Sequence, residues 1–186
     1  GTRFARSGIP PEEASAAALE VYQALNETLE LGALASRCGM GELGVAQALL
    51  ELQSCGAVQM HHTPEEASRN LFKRLSEGLF ERFASISGLK MTEGLETLLN
   101  GLAREQNIEL RWHNGQVYDG LSATHSADEL LSIFKRFVDA EMDYIGKIYP
   151  ASFTQRALAE IAEGASAEEQ ECWKKLELPL PLGVHS

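Results

Sequence analysis

Apolar side chains recur every three or four residues along most of this chain, the period of a helix with one face turned inward. Ala17, Leu19, Val21, Tyr22 and Leu25 draw such a face between Ser7-Gly8 and Asn26. Pro10 and Pro11 suit a first helical turn, where a missing N–H costs little, and Glu12 and Glu13 suit the positive end of the dipole. The first helix is therefore expected to start just after Gly8. Thr28 to Leu31 leads into a second helix, Gly32 to Arg37, and Cys38-Gly39-Met40-Gly41 makes a turn. A third helix follows from Glu42, with Val45, Ala46, Leu49, Leu50 and Leu52 at helical spacing. It stops at Cys55-Gly56, where glycine can adopt the left-handed closing conformation. Ala57 to Met60 then reads as a short strand.

Thr63-Pro64-Glu65-Glu66 is a strong helix start, with Thr as cap, Pro in the first position and Glu in the third. The helix over 64–87 carries Phe72, Leu75, Leu79, Phe83 and Ile86 in one stripe, widened by Leu71 and Phe80. A further helix, Met91 to Glu105, presents Leu95, Leu98, Leu99 and Leu102; its Gly94 and Gly101 suggest a closely packed neighbour. The period then changes from helical to alternating over residues 108–120. Asn114-Gly115 permits the positive φ angles of a type I′ turn, so a hairpin is expected at 108–119. A two-residue loop sets His113 opposite Gln116, Trp112 opposite Val117 and Arg111 opposite Tyr118. Ile108, Leu110, Trp112 and Val117 then share the buried face. Ser126 with Glu129 forms a capping box that opens a helix lined by Leu130, Ile133, Phe134, Phe137, Val138, Met142, Ile145 and Ile148. Ser152 with Gln155 and Ser166 with Glu169 open two more helices. Leu178 to Leu182, with alternating prolines, must be extended.

The fold class expected is mainly α: a winged-helix-like unit at 1–63, a helical domain at 64–178 holding the hairpin at 108–119, and an extended tail at 179–186. The first assignment rests on a resemblance. Leu31 to Met40, then Val45 to Leu52, then Gly56-Ala57-Val58 resemble the helix-turn-helix core of winged-helix proteins, with a small residue packed in the second helix, a Gly turn and a Leu-rich third helix. The resemblance covers about a third of the chain. It implies that the third helix, which reads DNA in many such proteins, is the place to look for contacts.

Charge changes that picture. The 186 residues carry a formal net charge of −11 with a pI of about 4.9. Residues 1–64 hold three basic and seven acidic side chains, 65–90 five and four, and 91–186 eight and sixteen. A duplex is gripped by releasing counterions from phosphates, which needs a basic face; anionic lipid needs one as well. From Gly41 to Ser54 the only charges are Glu42 and Glu51. Protein contact is therefore preferred over DNA contact for the third helix. No apolar run reaches the roughly 20 residues of a membrane span. Three cysteines at wide spacing, Cys38, Cys55 and Cys172, fit a reducing cytoplasm better than a disulfide framework. The N-terminal Gly-Thr-Arg-Phe lacks both a signal core and an initiator Met, so a fragment of a longer chain is expected.

Candidate chemistry is sparse. Gly39-Met40-Gly41-Glu42-Leu43-Gly44 has the letters of a dinucleotide fingerprint, but that motif needs a preceding strand, and a helix is expected there. His61 and His62 are adjacent, so in a strand they point to opposite faces. Asp119, His125 and Asp128 make the most polar cluster and read as turn and capping residues. No nucleophile elbow, zinc-binding motif or phosphate loop occurs. The expectation is a non-enzymatic regulatory or signalling protein with no cofactor and no metal, working through contacts with a protein partner or itself. Its expected interaction surface and homodimer seam is the wide stripe of Phe72, Leu75, Leu79, Phe80 and Phe83. The alternative reading at this point is that neighbouring helices cover that stripe and make it a central core helix. The alternative function is a dimeric DNA-binding transcriptional regulator with a C-terminal effector domain, touching DNA through Gln47, Arg69, Lys73 and Arg74.

Overall fold

Eight helices and five short strands form among the residues that a computed structural model describes, 2–11 and 14–178. The protein is mainly α, with two small antiparallel sheets. The chain divides into two compact units, residues 1–66 and 67–186. The extended tail expected at 179–186 lies outside the described residues.

In the first unit, β1 (Arg3–Arg6) precedes α1 (Ala16–Ala24), β2 (Leu29–Glu30), α2 (Leu31–Cys38), α3 (Glu42–Ser54) and β3 (Val58–His61). Ala18, Val21, Leu25, Leu34, Val45, Leu49 and Leu52 meet in its core. The sheet order is β2-β1-β3, with Arg3 opposite both Glu30 and His61. Strand β1 was not expected. It is four residues long with a single aromatic, too short a pattern to read, and pairing on both sides forms it. β3 therefore finds its partner in β1, and it passes through His62 and Thr63 straight into the next helix.

Helix α1 also starts later than the prolines suggested. Ser15 caps it by accepting from the Ala18 N–H at 3.2 Å. Glu51 of α3 fixes that start from outside, taking the Ser15 N–H at 2.6 Å and its hydroxyl at 2.7 Å. Those hydrogen bonds hold the Glu51 carboxyl below its ordinary pKa. The other end of α1 is held by cations, as its dipole favours. Arg6 donates to the Tyr22 and Gln23 carbonyls, each at 2.8 Å, with its guanidinium 4.5 Å over the Tyr22 ring. Arg37 donates to the Ala24 carbonyl at 3.2 Å and pairs with Glu27 at 2.7 Å.

The second unit is built around α4 (Pro64–Ser87), followed by α5 (Leu89–Glu105), β4 (Leu110–His113), β5 (Gln116–Asp119), α6 (Ala127–Gly146), α7 (Ala151–Glu163) and α8 (Ala167–Lys175). Capping boxes at Ser126–Glu129 and Ser166–Glu169 open α6 and α8. Helix α7 begins one residue before Ser152, on Pro150, and no side chain caps it. Gly94 lies against the Tyr144 hydroxyl, whereas the space beside Gly101 is open.

The hairpin has the register read from its turn: Trp112 opposite Val117, Arg111 opposite Tyr118, His113 opposite Gln116. Asn114 and Gly115 take φ of 52° and 76°. Gly115 is fixed twice over, because any Cβ there would also collide with the Phe80 ring. Two strands alone are marginal in water, and side chains close both edges of this pair. Asn100 of α5 donates to the Trp112 carbonyl and accepts its N–H, both at 2.9 Å, in place of a third strand. Glu77 of α4 accepts the Val117 N–H at 3.0 Å.

Trp112 carries the hairpin into the core. Its ring stacks on Phe137 at 5.1 Å and meets the edge of Phe72 at 6.1 Å, while Phe72 stacks on Phe134 at 4.1 Å. Trp112 is only 1% exposed. Trp112→Ala should therefore cost about 3–5 kcal/mol in urea unfolding. A loss under about 1 kcal/mol would place the indole on the surface instead.

Candidate functional site

Phe72, Leu75, Leu79, Phe80 and Phe83, the expected interaction surface, are all buried within the second unit, none more than 6% exposed. Helix α4 is a central core helix, and its stripe is wide because neighbouring elements cover it on several sides. Those five residues cannot serve as a docking face in this fold. Ile86, at the end of the stripe, is exposed.

Two of the four residues expected to touch DNA are committed elsewhere. Arg69 pairs with Asp119 and donates to the Leu121 and Ser122 carbonyls, clamping the loop after the hairpin. Arg74 pairs with the buried Glu169 at 3.4 Å. Lys73 is exposed and 3.9 Å from Glu77. Gln47 is exposed on α3. The other polar cluster separates into local jobs: Asp119 accepts the Leu121 N–H, His125 bonds the Ser122 carbonyl, and Asp128 pairs with Lys175. Gly39 and Gly41 of the fingerprint letters form the left-handed end of α2 and the cap of α3.

Helix α3 presents the most exposed large apolar side chains among the described residues. Leu43 is 74% exposed and Leu50 67%. Seven residues apart, they lie two turns from each other on one line, with Ala46 and Gln47 between and Ser54 beyond. The opposite face, Val45, Ala48, Leu49 and Leu52, fills the core. Ala46 and Leu50, read with Val45, Leu49 and Leu52 as one helical spacing, lie on the outer line instead. Both carboxylates of α3 turn away from the outer line. Glu51 is tied to Ser15, and Glu42 lies beside Gly32 in the first turn of α2, its Oε1 3.5 Å from where a Cβ would stand. The outer line carries no formal charge. Nor do the first unit's arginines supply a phosphate grip: Arg6 and Arg37 close α1, and Arg3 lies 3.7 Å from Glu30.

No family model, curated protein or solved structure matches this chain.

Among the described residues of the second unit, one ionisable group is strongly perturbed. Glu141 of α6 is fully buried. One carboxyl oxygen accepts from the Ser76 hydroxyl of α4, and that hydroxyl accepts the Trp112 indole N–H at 2.8 Å. The second oxygen has no hydrogen-bond partner. Burial pushes the carboxyl up to about 8, against the smaller opposing pull of the Ser76 and Trp112 hydrogen bonds. Burial thus favours the neutral acid. Glu141 is four residues from both Phe137 and Ile145, squarely in the apolar stripe of α6, and Ser76 is four from Phe72. A carboxylate and a hydroxyl at stripe positions are the signals that would have found this pair.

The stability consequence has a definite sign. Between about pH 4.5 and 8 the native state keeps a proton that the unfolded chain has lost. Stability should fall as pH rises through that window, by on the order of 1 kcal/mol per unit, and level off above it. Glu141→Gln should abolish this slope and be more stable than the parent at pH 8. Urea midpoints at pH 5.5, 7 and 8.5 measure it. A parent that gains stability across the window, or a variant with the same slope, would contradict the neutral carboxyl.

Proposed function

We propose that the chain is a non-enzymatic regulatory or signalling protein that works through protein contacts, with α3 of its first unit as the docking face and a second copy as the occupant. The observation that carries this reading is the uncharged outer line of α3, with Leu43 and Leu50 standing in solvent. Apolar groups in such a line usually mark a partner surface. A second copy fits by symmetry. An antiparallel two-fold crossing centred between Ala46 and Gln47 sets each Leu43 on the other copy's Leu50 and brings no like charges from α3 together. One helix crossing is small by interface standards, so the dimer is expected to be weak.

The order strand, helix, turn, helix, strand supports a winged-helix-like use of the first unit, as an interaction or dimerising element. The second unit, with its hairpin, is then the sensing part. The alternative, a dimeric DNA-binding regulator, would have to work through Gln47 and Lys73, since Arg69 and Arg74 are engaged with carboxylates. A neutral recognition helix on a chain of charge −11 offers few phosphate contacts. No helix among the described residues is long and apolar enough to cross a membrane. Three cysteines without disulfides support the cytoplasm as the compartment.

Sedimentation of the parent and of Leu43→Glu with Leu50→Glu tests the proposal. The parent should sediment as a reversible dimer at high micromolar concentration, and the doubly substituted chain as a folded monomer by circular dichroism. Both leucines are exposed, so the fold should survive. A parent that stays monomeric ends the dimer reading. Salt-sensitive, sequence-specific duplex binding lost in Gln47→Ala would favour the DNA-binding alternative.

A further inference from the structure

Glu141, Ser76 and Trp112 join three elements, α6, α4 and β4, through one chain of hydrogen bonds inside an aromatic core. Both links point toward one carboxyl, the indole N–H donating to the Ser76 oxygen and the Ser76 hydroxyl to a Glu141 oxygen, so they favour its charged form while burial favours the neutral one. As a neutral acid, Glu141 places no charge in the interior. As a carboxylate it would hold one charge with only neutral groups, Ser76 and Trp112, acting on it and a second oxygen without a hydrogen-bond partner. An isolated buried charge is among the costliest things a protein can contain. The cheapest relief is to open the nearest seam and admit water.

The surrounding charges offer no alternative. On α4, Glu77 is spent on the Val117 N–H and Lys73 is exposed beside it. On α5, Glu96 lies 3.8 Å from His113 of β4; Glu93, Lys90 and Arg104 are exposed. On α6 itself, Asp139 is 3.6 Å from Lys135, Asp143 is exposed, and Tyr144 donates to the Met91 carbonyl. On α7, Arg156 is exposed and Glu160 is paired with Arg82; on α8, Glu169 is paired with Arg74. The groups that act on the Glu141 carboxyl besides its burial are Ser76 and Trp112, both neutral.

The weakest of the three joined elements is the hairpin. It is two four-residue strands whose outer edges are closed by the side chains of Asn100 and Glu77 rather than by further strands. Helices α4 and α6 are long and mutually packed. We propose that Glu141 is a proton-controlled latch: its neutral form can stay buried beneath the β4–β5 hairpin closed on α4 and α6, and the charge left by loss of its proton drives local opening of the hairpin while the helices stay folded. The open form exposes Trp112 and frees the Trp112 and Val117 backbone edges. This device is independent of what the first unit docks.

Amide hydrogen exchange of residues 110–119 tests it in the intact chain. Exchange is corrected for intrinsic hydroxide catalysis and measured from pH 5.5 to 9. If the opening wets Glu141, its equilibrium constant should rise about tenfold per pH unit below the carboxyl's own titration and plateau above it. Hairpin exchange should also ignore low denaturant concentrations, the mark of a local opening. The central amides of α4 should instead follow global unfolding. In Glu141→Gln the hairpin protection should be flat with pH. Should that variant misfold, the infrared carbonyl band of the parent's protonated carboxyl, lost over the pH range in which hairpin protection levels off, carries the test. Hairpin protection that is flat with pH in the parent overturns the latch. So does exchange that tracks α4 at every pH and denaturant concentration, which would leave only a global effect.

Discussion

A helix with apolar groups on several sides has to be surrounded, and α4 is such a helix. Its Leu71, Phe72, Leu75, Leu79, Phe80 and Phe83 are too many for one shallow contact, and all are buried. The rest of the second unit follows from covering them. Helix α6 supplies Phe134 and Phe137 against Phe72, the hairpin supplies Trp112, and Tyr144 and Tyr149 set their ring edges on Phe83. Close packing of rings leaves little tolerance, which is why Gly115 and Gly94 sit where Phe80 and Tyr144 come nearest.

Local signals were legible where they were chemical and short-range. The Asn114-Gly115 turn set the hairpin register, and the capping boxes at Ser126 and Ser166 set two helix starts. What was missed depended on distant partners. β1 exists because β2 and β3 flank it, and α1 begins at Ser15 because Glu51 reaches it from α3. The direction of an apolar face was misjudged twice for one reason. Periodicity says that a side is apolar, not whether another element covers it. The α4 stripe is enclosed, whereas Leu50, in line with Leu43, is left in solvent.

The two units divide the chemistry. In the first, the charged groups hold helix ends: Arg6 and Arg37 at the end of α1, Glu51 at its start. That use of charge is what leaves α3 neutral outside. In the second, Ser76 and Glu141 place polarity inside an aromatic core, where an apolar pair would have packed at less cost. A costly group that persists at a junction of three elements is better placed to control that junction than to stabilise it.

The central claim is that two copies meet along α3, and a cross-link at the crossing point tests it most directly. Gln47→Cys, with Cys38 and Cys55 changed to Ser, places one thiol next to the proposed two-fold axis; the remaining Cys172 is buried. Mild oxidation at micromolar concentration should give a disulfide-linked dimer. Thr97→Cys, at an exposed position on α5 in the same background, should give far less. No covalent dimer from Gln47→Cys, or equal yields from the two positions, would contradict the account.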